Sequence, residues 1–254
     1  MLRIEPEGPI LRLTLARPEV RNALDDSLVD ALAGAFANVP PGTRAVLLAG
    51  EGRSFCAGGD LEWMRRAAGY TEEENFQDAL RLVRLFRAIV ECPALVVARV
   101  NGHAFGGACG LVAASDVAIA SAETQFSFSE VRLGLVPATI GAVVTEKIGP
   151  GHARALFTTG EVFDAERALR IGLVHQVVLP EQLDRAVQDK LDQALSVGPN
   201  ALAACKNLAR EPLSGDDAAR LLARTRSSAE AREGIGAFLE KRRPSFAITH
   251  ETST

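Results

Sequence analysis

The sequence predicts an α/β chain: a mostly parallel sheet with crossover helices, followed by a helical C-terminal appendage. Three observations predict it. Short apolar runs bounded by turn residues alternate with amphipathic stretches over the first ~180 residues, the pattern of strands joined by crossover helices. The runs 45–49, 95–100 and 117–120 show no polar alternation, as expected of strands covered on both faces. Beyond them the apolar residues recur at helical spacing.

In chain order, Ile10 to Leu15 alternates with period two and reads as a strand closed by Arg17-Pro18. Asp25 is placed to cap a helix over Asp26–Ala37, ended by Pro40-Pro41-Gly42. Ala45–Ala49 is a buried strand, followed by a Gly-containing loop and Asp60 as an N-cap. Thr71–Glu91 places Phe76, Leu80, Val83, Phe86 and Val90 at three- and four-residue steps, predicting an amphipathic helix with that face inward. Leu95–Val100 is a strand, Asn101–Gly110 a second Gly-rich loop entering a short helix, and Val117–Ala120 a third buried strand. Leu183, Val187, Leu191 and Leu195 mark one helix face. Further helices are expected over Asn200–Arg210 and Asp216–Lys241. The expected division is a core of residues 1–198 and a helical region of residues 199–254.

Of the 254 residues, 47% are hydrophobic and 24% charged, which excludes a disordered chain. A net charge of −4, with one Trp and one Tyr, argues against nucleic-acid binding through phosphate contacts or base stacking. Cys56, Cys92, Cys109 and Cys205 show no CxxC spacing and sit among apolar or small residues, so reduced, mostly buried thiols in a cytoplasmic protein are expected, with no metal. No apolar stretch reaches the ~18 residues of a membrane span, and the N-terminal residues lack a signal pattern.

Two Gly-rich loops, Ser54–Asp60 and Asn101–Gly110, each follow a buried strand and lead into a helix. Backbone N–H groups at a helix N-terminus favour negative charge. One N–H from each loop, aimed at a single carbonyl oxygen, makes an oxyanion hole. Tight packing of helix on strand is the other reading of the same glycines.

The blocks Arg17-Pro18-Glu19-Val20-Arg21-Asn22-Ala23-Leu24, Phe55-Cys56-Ala57-Gly58-Gly59-Asp60-Leu61 and Val100-Asn101-Gly102-His103-Ala104-Phe105-Gly106-Gly107, with Phe238 to Phe246 near the end, resemble the crotonase (enoyl-CoA hydratase/isomerase) superfamily in sequence, order and separation. The resemblance implies a crotonase-like β-β-α spiral core, a trimer or dimer of trimers with contacts from the tail helices, and an acyl-CoA thioester as substrate, with no separate cofactor. It places the two oxyanion donors at Ala57 and Gly107. Substrate contacts are implied at Arg21 and Ala23, at Gly58, Gly59, Asp60 and Leu61 of the first loop, and at Gly110. Phe238 and Lys241 match tail residues that reach the nucleotide of an adjacent subunit.

The resemblance also makes Glu130, amid Phe126, Phe128, Val131 and Leu133, the acid–base residue. A surface Glu paired with Arg132 or Arg154 is the alternative for a lone carboxylate. Many relatives use two glutamates to hydrate the thioester, and the other position falls at Gly110. Three consequences are open: Glu130 hydrates alone, Glu130 shuttles a proton between C2 and C4 as an isomerase, or the vacated volume admits a larger or branched acyl group. The stretches 60–70 and 130–140 are similar to bacterial methylglutaconyl-CoA hydratase-type members, whose carboxylated substrates would call for a cation from Arg65, Arg66 or Arg132.

Competing assignments are a Cys56–His103 nucleophile pair, Asp60 as helix cap rather than reacting group, and a noncatalytic acyl-CoA- or RNA-binding role, since one relative of the methylglutaconyl group is known for RNA binding.

Overall fold

The computed structural model describes residues 1–248. The chain opens with a hairpin of β1 (Leu2–Glu7) and β2 (Ile10–Leu15), then α1 (Asp26–Ala37), whose first turn is capped by the Asp25 carboxylate accepting from the Leu28 N–H at 2.7 Å. β3 (Ala45–Gly50), α2 (Leu61–Ala67), α3 (Glu72–Glu91) and β4 (Leu95–Val100) follow. Next come β5 (His103–Phe105), α4 (Gly107–Ala114), β6 (Val117–Ser121), β7 (Gln125–Ser127) and a single-turn 3-10 segment at Ser129–Leu133. α5 (Ala138–Thr159) is broken at Gly149, where φ is 77° ahead of Pro150. β8 (Val162–Asp164), α6 (Ala165–Arg170), β9 (Gln176–Val178) and α7 (Leu183–Ser196) complete the core, and α8 (Pro199–Arg210), α9 (Gly215–Arg226) and α10 (Ala229–Leu239) form the tail.

The main sheet has the order β1-β2-β3-β4-β6-β9, parallel except for the antiparallel β1–β2 edge. Its centre is apolar on both faces. One face carries Leu13, Leu48 and Val96 into a core with α1, α3, α4 and α5. The other presents Leu47, Val97 and Ile119 to Val187, Leu191 and Leu195 on α7. A second sheet, β5-β7-β8, carries the second Gly-rich loop and leads into the Glu130 turn.

The parallel sheet, its crossover helices and the helical tail are those the sequence predicts, with four corrections. β1 was unforeseen because its short alternation of Leu2, Ile4 and Pro6 with Arg3, Glu5 and Glu7 lies on an exposed edge and includes a proline. α3 has the expected bounds, with a Thr71–Glu74 capping box. Its inward face, however, is Leu85, Phe86 and Ile89, while Phe76 and Val83 are 55% and 43% exposed. The expected 101–110 loop contains strand β5. The expected helix over 216–241 is two helices, interrupted at Ser227 and Ser228, because the Ser228 hydroxyl caps α10 by accepting from the Ala231 N–H at 3.0 Å.

The tail is tied to the core. Arg44 donates to the carbonyls of Phe246, Ala194 and Val197, and Lys206 on α8 bonds the carbonyls of Cys92 and Ala94 and pairs with Asp116 at 2.6 Å. The last six residues of the expected 199–254 region lie outside the described residues. Among the described residues no helix is long and apolar enough to cross a membrane.

Candidate active site

The first Gly-rich loop leaves the C-terminal end of β3 and is fastened by two residues that the motif reading passed over. Asn22, fully buried, accepts from the Arg17 N–H and donates to the carbonyls of Glu51 and Ser54, both at 2.8 Å. Arg17 donates to the Ala23 carbonyl at 2.8 Å and pairs with Asp25 and Asp60 at 2.8 and 2.9 Å. One guanidinium therefore joins the pre-α1 segment to the start of α2, using the planar fork that suits Arg to such a junction.

Asp60 is the α2 cap, accepting from the N–H groups of Glu62 and Trp63. Burial works against its charge, but these bonds and Arg17 outweigh burial and hold its carboxyl below the usual range. It is thereby committed to structure.

The two loops lie side by side. The Cys56 N–H donates to the His103 carbonyl at 3.1 Å, and the Phe105 N–H donates back to the Cys56 carbonyl at 3.2 Å. Gly58, with φ +92°, sits so near that a Cβ there would come within 2.8 Å of the Phe105 carbonyl oxygen. Leu24 lies between the loops: it bridges Gly59 in parallel pairing, and its Cδ1 is 3.1 Å from where a Gly107 Cβ would stand.

The Ala57 N–H, expected as a donor to substrate, donates instead to the Arg21 carbonyl at 3.0 Å. The neighbouring pairing with Leu24 uses the Gly58 carbonyl and the Asp60 N–H, at 2.7 and 2.8 Å. Among the described residues neither the Gly59 N–H nor the Gly107 N–H donates to a protein acceptor. Gly107 is the first residue of α4, whose partial positive charge adds to its own N–H.

Glu130 rides on the 3-10 turn after β7. Its Oε2 is buried without a hydrogen-bond partner. Its Oε1 lies 3.2 Å from the Cβ position of Gly106, the residue before Gly107. Burial pushes the Glu130 carboxyl above the usual carboxylate range. The ion pair considered for it is not made: Arg132 turns away, its Nε donating to the Gly160 carbonyl at 2.8 Å. Glu130 is half-buried, but an Oε2 shut from solvent with no partner is costly to hold, which marks the residue as a candidate for chemistry.

Gly110 does not open onto a vacated pocket. It is buried in α4, and its side-chain space is filled by Phe86 of α3 and Ile140 of α5. The expected substrate contact there, and the larger acyl group it would admit, are thus corrected by packing. The Cys56–His103 pair also fails. Burial pushes the Cys56 thiol up to about 12, while the His103 ring stacks on Phe105 with 5.2 Å between centroids.

Of the other expected contacts, Arg21 (in the left-handed region, φ 54°), Gly59 and Leu61 are exposed beside the loops, whereas the Ala23 side chain is buried. Phe238 is 81% exposed and Lys241 exposed at the end of α10, and neither bonds to the glycine loops among the described residues. Among those residues no three His, Cys, Asp or Glu side chains are grouped to hold a metal.

A sequence model of the enoyl-CoA hydratase/isomerase family matches residues 5–248. The chain belongs to that family. The crotonyl-CoA hydratase of Syntrophomonas wolfei is 34% identical over 96% of both chains. A Mycobacterium tuberculosis hydrolase of a methyl-dioxo-hexahydroindene-carboxyl-CoA is 41% identical over 71% of this chain and 72% of its own. The structure of Pseudomonas aeruginosa AtuE superposes with a TM-score of 0.93 at 39% identity, covering 97% of this chain and 99% of the other. For this enoyl-CoA hydratase/isomerase family member the crotonase fold is therefore established.

Proposed function

We propose that the chain adds water across the double bond of a 2-enoyl-CoA thioester, with Glu130 as its one acid–base group. The observation that carries this reading is the Glu130 carboxylate, whose Oε1 lies beside Gly106 at the start of α4 and whose Oε2 is buried without a partner. The thioester carbonyl accepts from the Gly59 and Gly107 N–H groups. Gly59 is preferred to Ala57 because the Ala57 N–H is already used by Arg21. Glu130, as carboxylate, takes a proton from water while the water oxygen bonds to C3, and the π electrons move onto the thioester oxygen. The enolate is stabilised by the two N–H groups. Glu130 then gives its proton to C2 as the enolate collapses, and the product is a 3-hydroxyacyl-CoA with the carboxylate restored.

With the space at Gly110 filled, the same lone carboxylate also suits movement of a proton from C2 to C4. A Δ3,Δ2-enoyl-CoA isomerase is therefore the second reading. Incubation with crotonyl-CoA and with a 3-enoyl-CoA separates the two: hydration of the first supports the hydratase, and conversion of the second without hydration supports the isomerase.

An uncharged acyl end fits the site better than a carboxylated one, because Arg65, Arg66 and Arg132 are engaged by Glu62, Asp26 and the Gly160 carbonyl. The exposed Ile235, Phe238 and Leu239 of α10 support a trimeric assembly in which the tail covers a neighbouring subunit. Lys241 would then meet phosphate, and Lys241→Ala should raise KM with little change in kcat. Four unpaired cysteines, three of them buried, suit a reducing cytoplasm.

A further inference from the structure

α4 presents Gly107 to the glycine loops at its start and ends at Ala114, about 12 Å further along the helix axis. Beside that far end, between the core and α8, lies a cleft of about 720 Å³. Neither glycine loop borders it, nor does Glu130. Its volume is that of a small-molecule site. Val90, Leu95, Val143 and Leu202, all half-buried, turn hydrocarbon toward it from α3, β4, α5 and α8.

The polar groups on the same lining are unequally engaged. Lys206 has its three N–H bonds taken, by the carbonyls of Cys92 and Ala94 and by the Asp116 carboxylate. Asp116 also accepts from the Val96 N–H at 2.7 Å, so this pair is closed. Lys147 gives one bond, to the Ser115 carbonyl at 2.8 Å, and its other two N–H groups meet no acceptor among the described residues. His175 accepts from the Ala118 N–H on Nδ1, which leaves the proton of the neutral ring on Nε2. That N–H has no partner among the described residues either. Arg210 has only Glu211, 3.7 Å away and 83% exposed. The remaining carboxylate on the lining is Glu146, which is exposed and next to Lys147 on α5, where adjacent side chains do not face each other. Cation and N–H donors are thus left over beside an apolar wall.

We propose that this cleft is a second ligand site that takes a medium-chain carboxylic acid, its carboxylate on Lys147, His175 and Arg210 and its chain along Val90, Leu95, Val143 and Leu202. An inorganic anion would leave the hydrocarbon wet, and an uncharged chain would leave the Lys147 donors unmet. Burial lowers the Lys147 ammonium, and burial followed by the charge of Lys147 lowers His175. A carboxylate between them would relieve both.

Cys205, on the lining and exposed, reports on the cleft, because Cys56, Cys92 and Cys109 are buried. Ellman's reagent should therefore titrate Cys205 alone in the folded protein. Saturating octanoate should slow that reaction by about fivefold or more, by closing access to the thiol. Inorganic phosphate and 1-octanol, each supplying one half of the probe, should not. Lys147→Met, which keeps most of the stem and removes the charge, should weaken octanoate protection by about tenfold. Arg210→Gln, on the outer side of the cleft, should weaken it in the same direction and covers the case in which Lys147→Met does not fold.

The proposal is overturned if octanoate leaves the Cys205 rate unchanged, or if phosphate or 1-octanol protects equally. It is overturned also if the folded Lys147→Met and Arg210→Gln proteins are protected as wild type is. A Cys205 that does not react in the folded wild type, because another copy of the chain covers the cleft, has the same consequence. The thiol readout needs no turnover, so its result stands whatever becomes of the role given to Glu130.

Discussion

The carboxylate of Glu130 rests against the backbone of Gly106, close enough that a Cβ on this glycine would come within 3.2 Å of Oε1. Gly106 has φ +53° and ψ −123°, a conformation that L side chains rarely adopt. Gly106→Ala should therefore cost about 1–3 kcal/mol of stability through backbone strain and displace the carboxylate from the loop pair. Urea unfolding and crotonyl-CoA hydration measure the two effects, and an unchanged rate would show that the carboxylate does not need this contact.

The donor assignment separates Gly59 from Ala57. A Cβ on Gly59 meets only Met64, at 3.5 and 3.6 Å, which is ordinary contact. Gly59→Ala should thus leave kcat within about threefold of wild type, the N–H being kept. Gly59→Pro removes that N–H and should lower kcat by about a hundredfold or more. Equal activity in the two variants would return the donor role to another group.

Arg17 is expected to matter for stability ahead of chemistry. It serves the Ala23 carbonyl and two carboxylates at once, all largely shielded from water. Arg17→Ala leaves these acceptors uncompensated and should cost about 2–4 kcal/mol in chemical denaturation. Arg17→Lys should recover only part of this, because an ammonium lacks the planar fork.

The pH dependence follows from the raised Glu130 carboxyl. In the folded chain it holds its proton to higher pH than in the unfolded chain. Folding is therefore penalised as pH rises through the folded-state value, and the penalty is absent below the ordinary carboxylate range. Glu130→Gln should raise the thermal midpoint at neutral pH and lose this advantage in acid. Activity has the opposite sense: hydration needs the carboxylate, so the acid limb should lie above the ordinary Glu range and rise with pH. A midpoint difference independent of pH would contradict the linkage.

What was legible in the sequence was local or periodic. The Asp25 cap, both bounds of α3 and the buried central strands all follow from residues near in sequence. The face that α3 turns inward did not, because Phe76 and Val83 share the helical period with Phe86 yet lie where no other element covers them. In the site, Glu130 and the glycine loops were readable from motif. The use of the Ala57 N–H by Arg21 was not, nor was the filling of the Gly110 space by side chains 24 and 30 residues away in sequence. Asn22 and Arg17 lay inside a recognised block, but their bonds reach Glu51, Ser54 and Asp60 across the fold.

The most direct measurement is the rate of crotonyl-CoA hydration by wild type and Glu130→Gln under identical conditions, with folding of both checked by circular dichroism. Wild type should hydrate the thioester, and the folded variant should be slower by about a hundredfold to ten-thousandfold. A folded Glu130→Gln protein that hydrates at the wild-type rate would contradict the role assigned to Glu130.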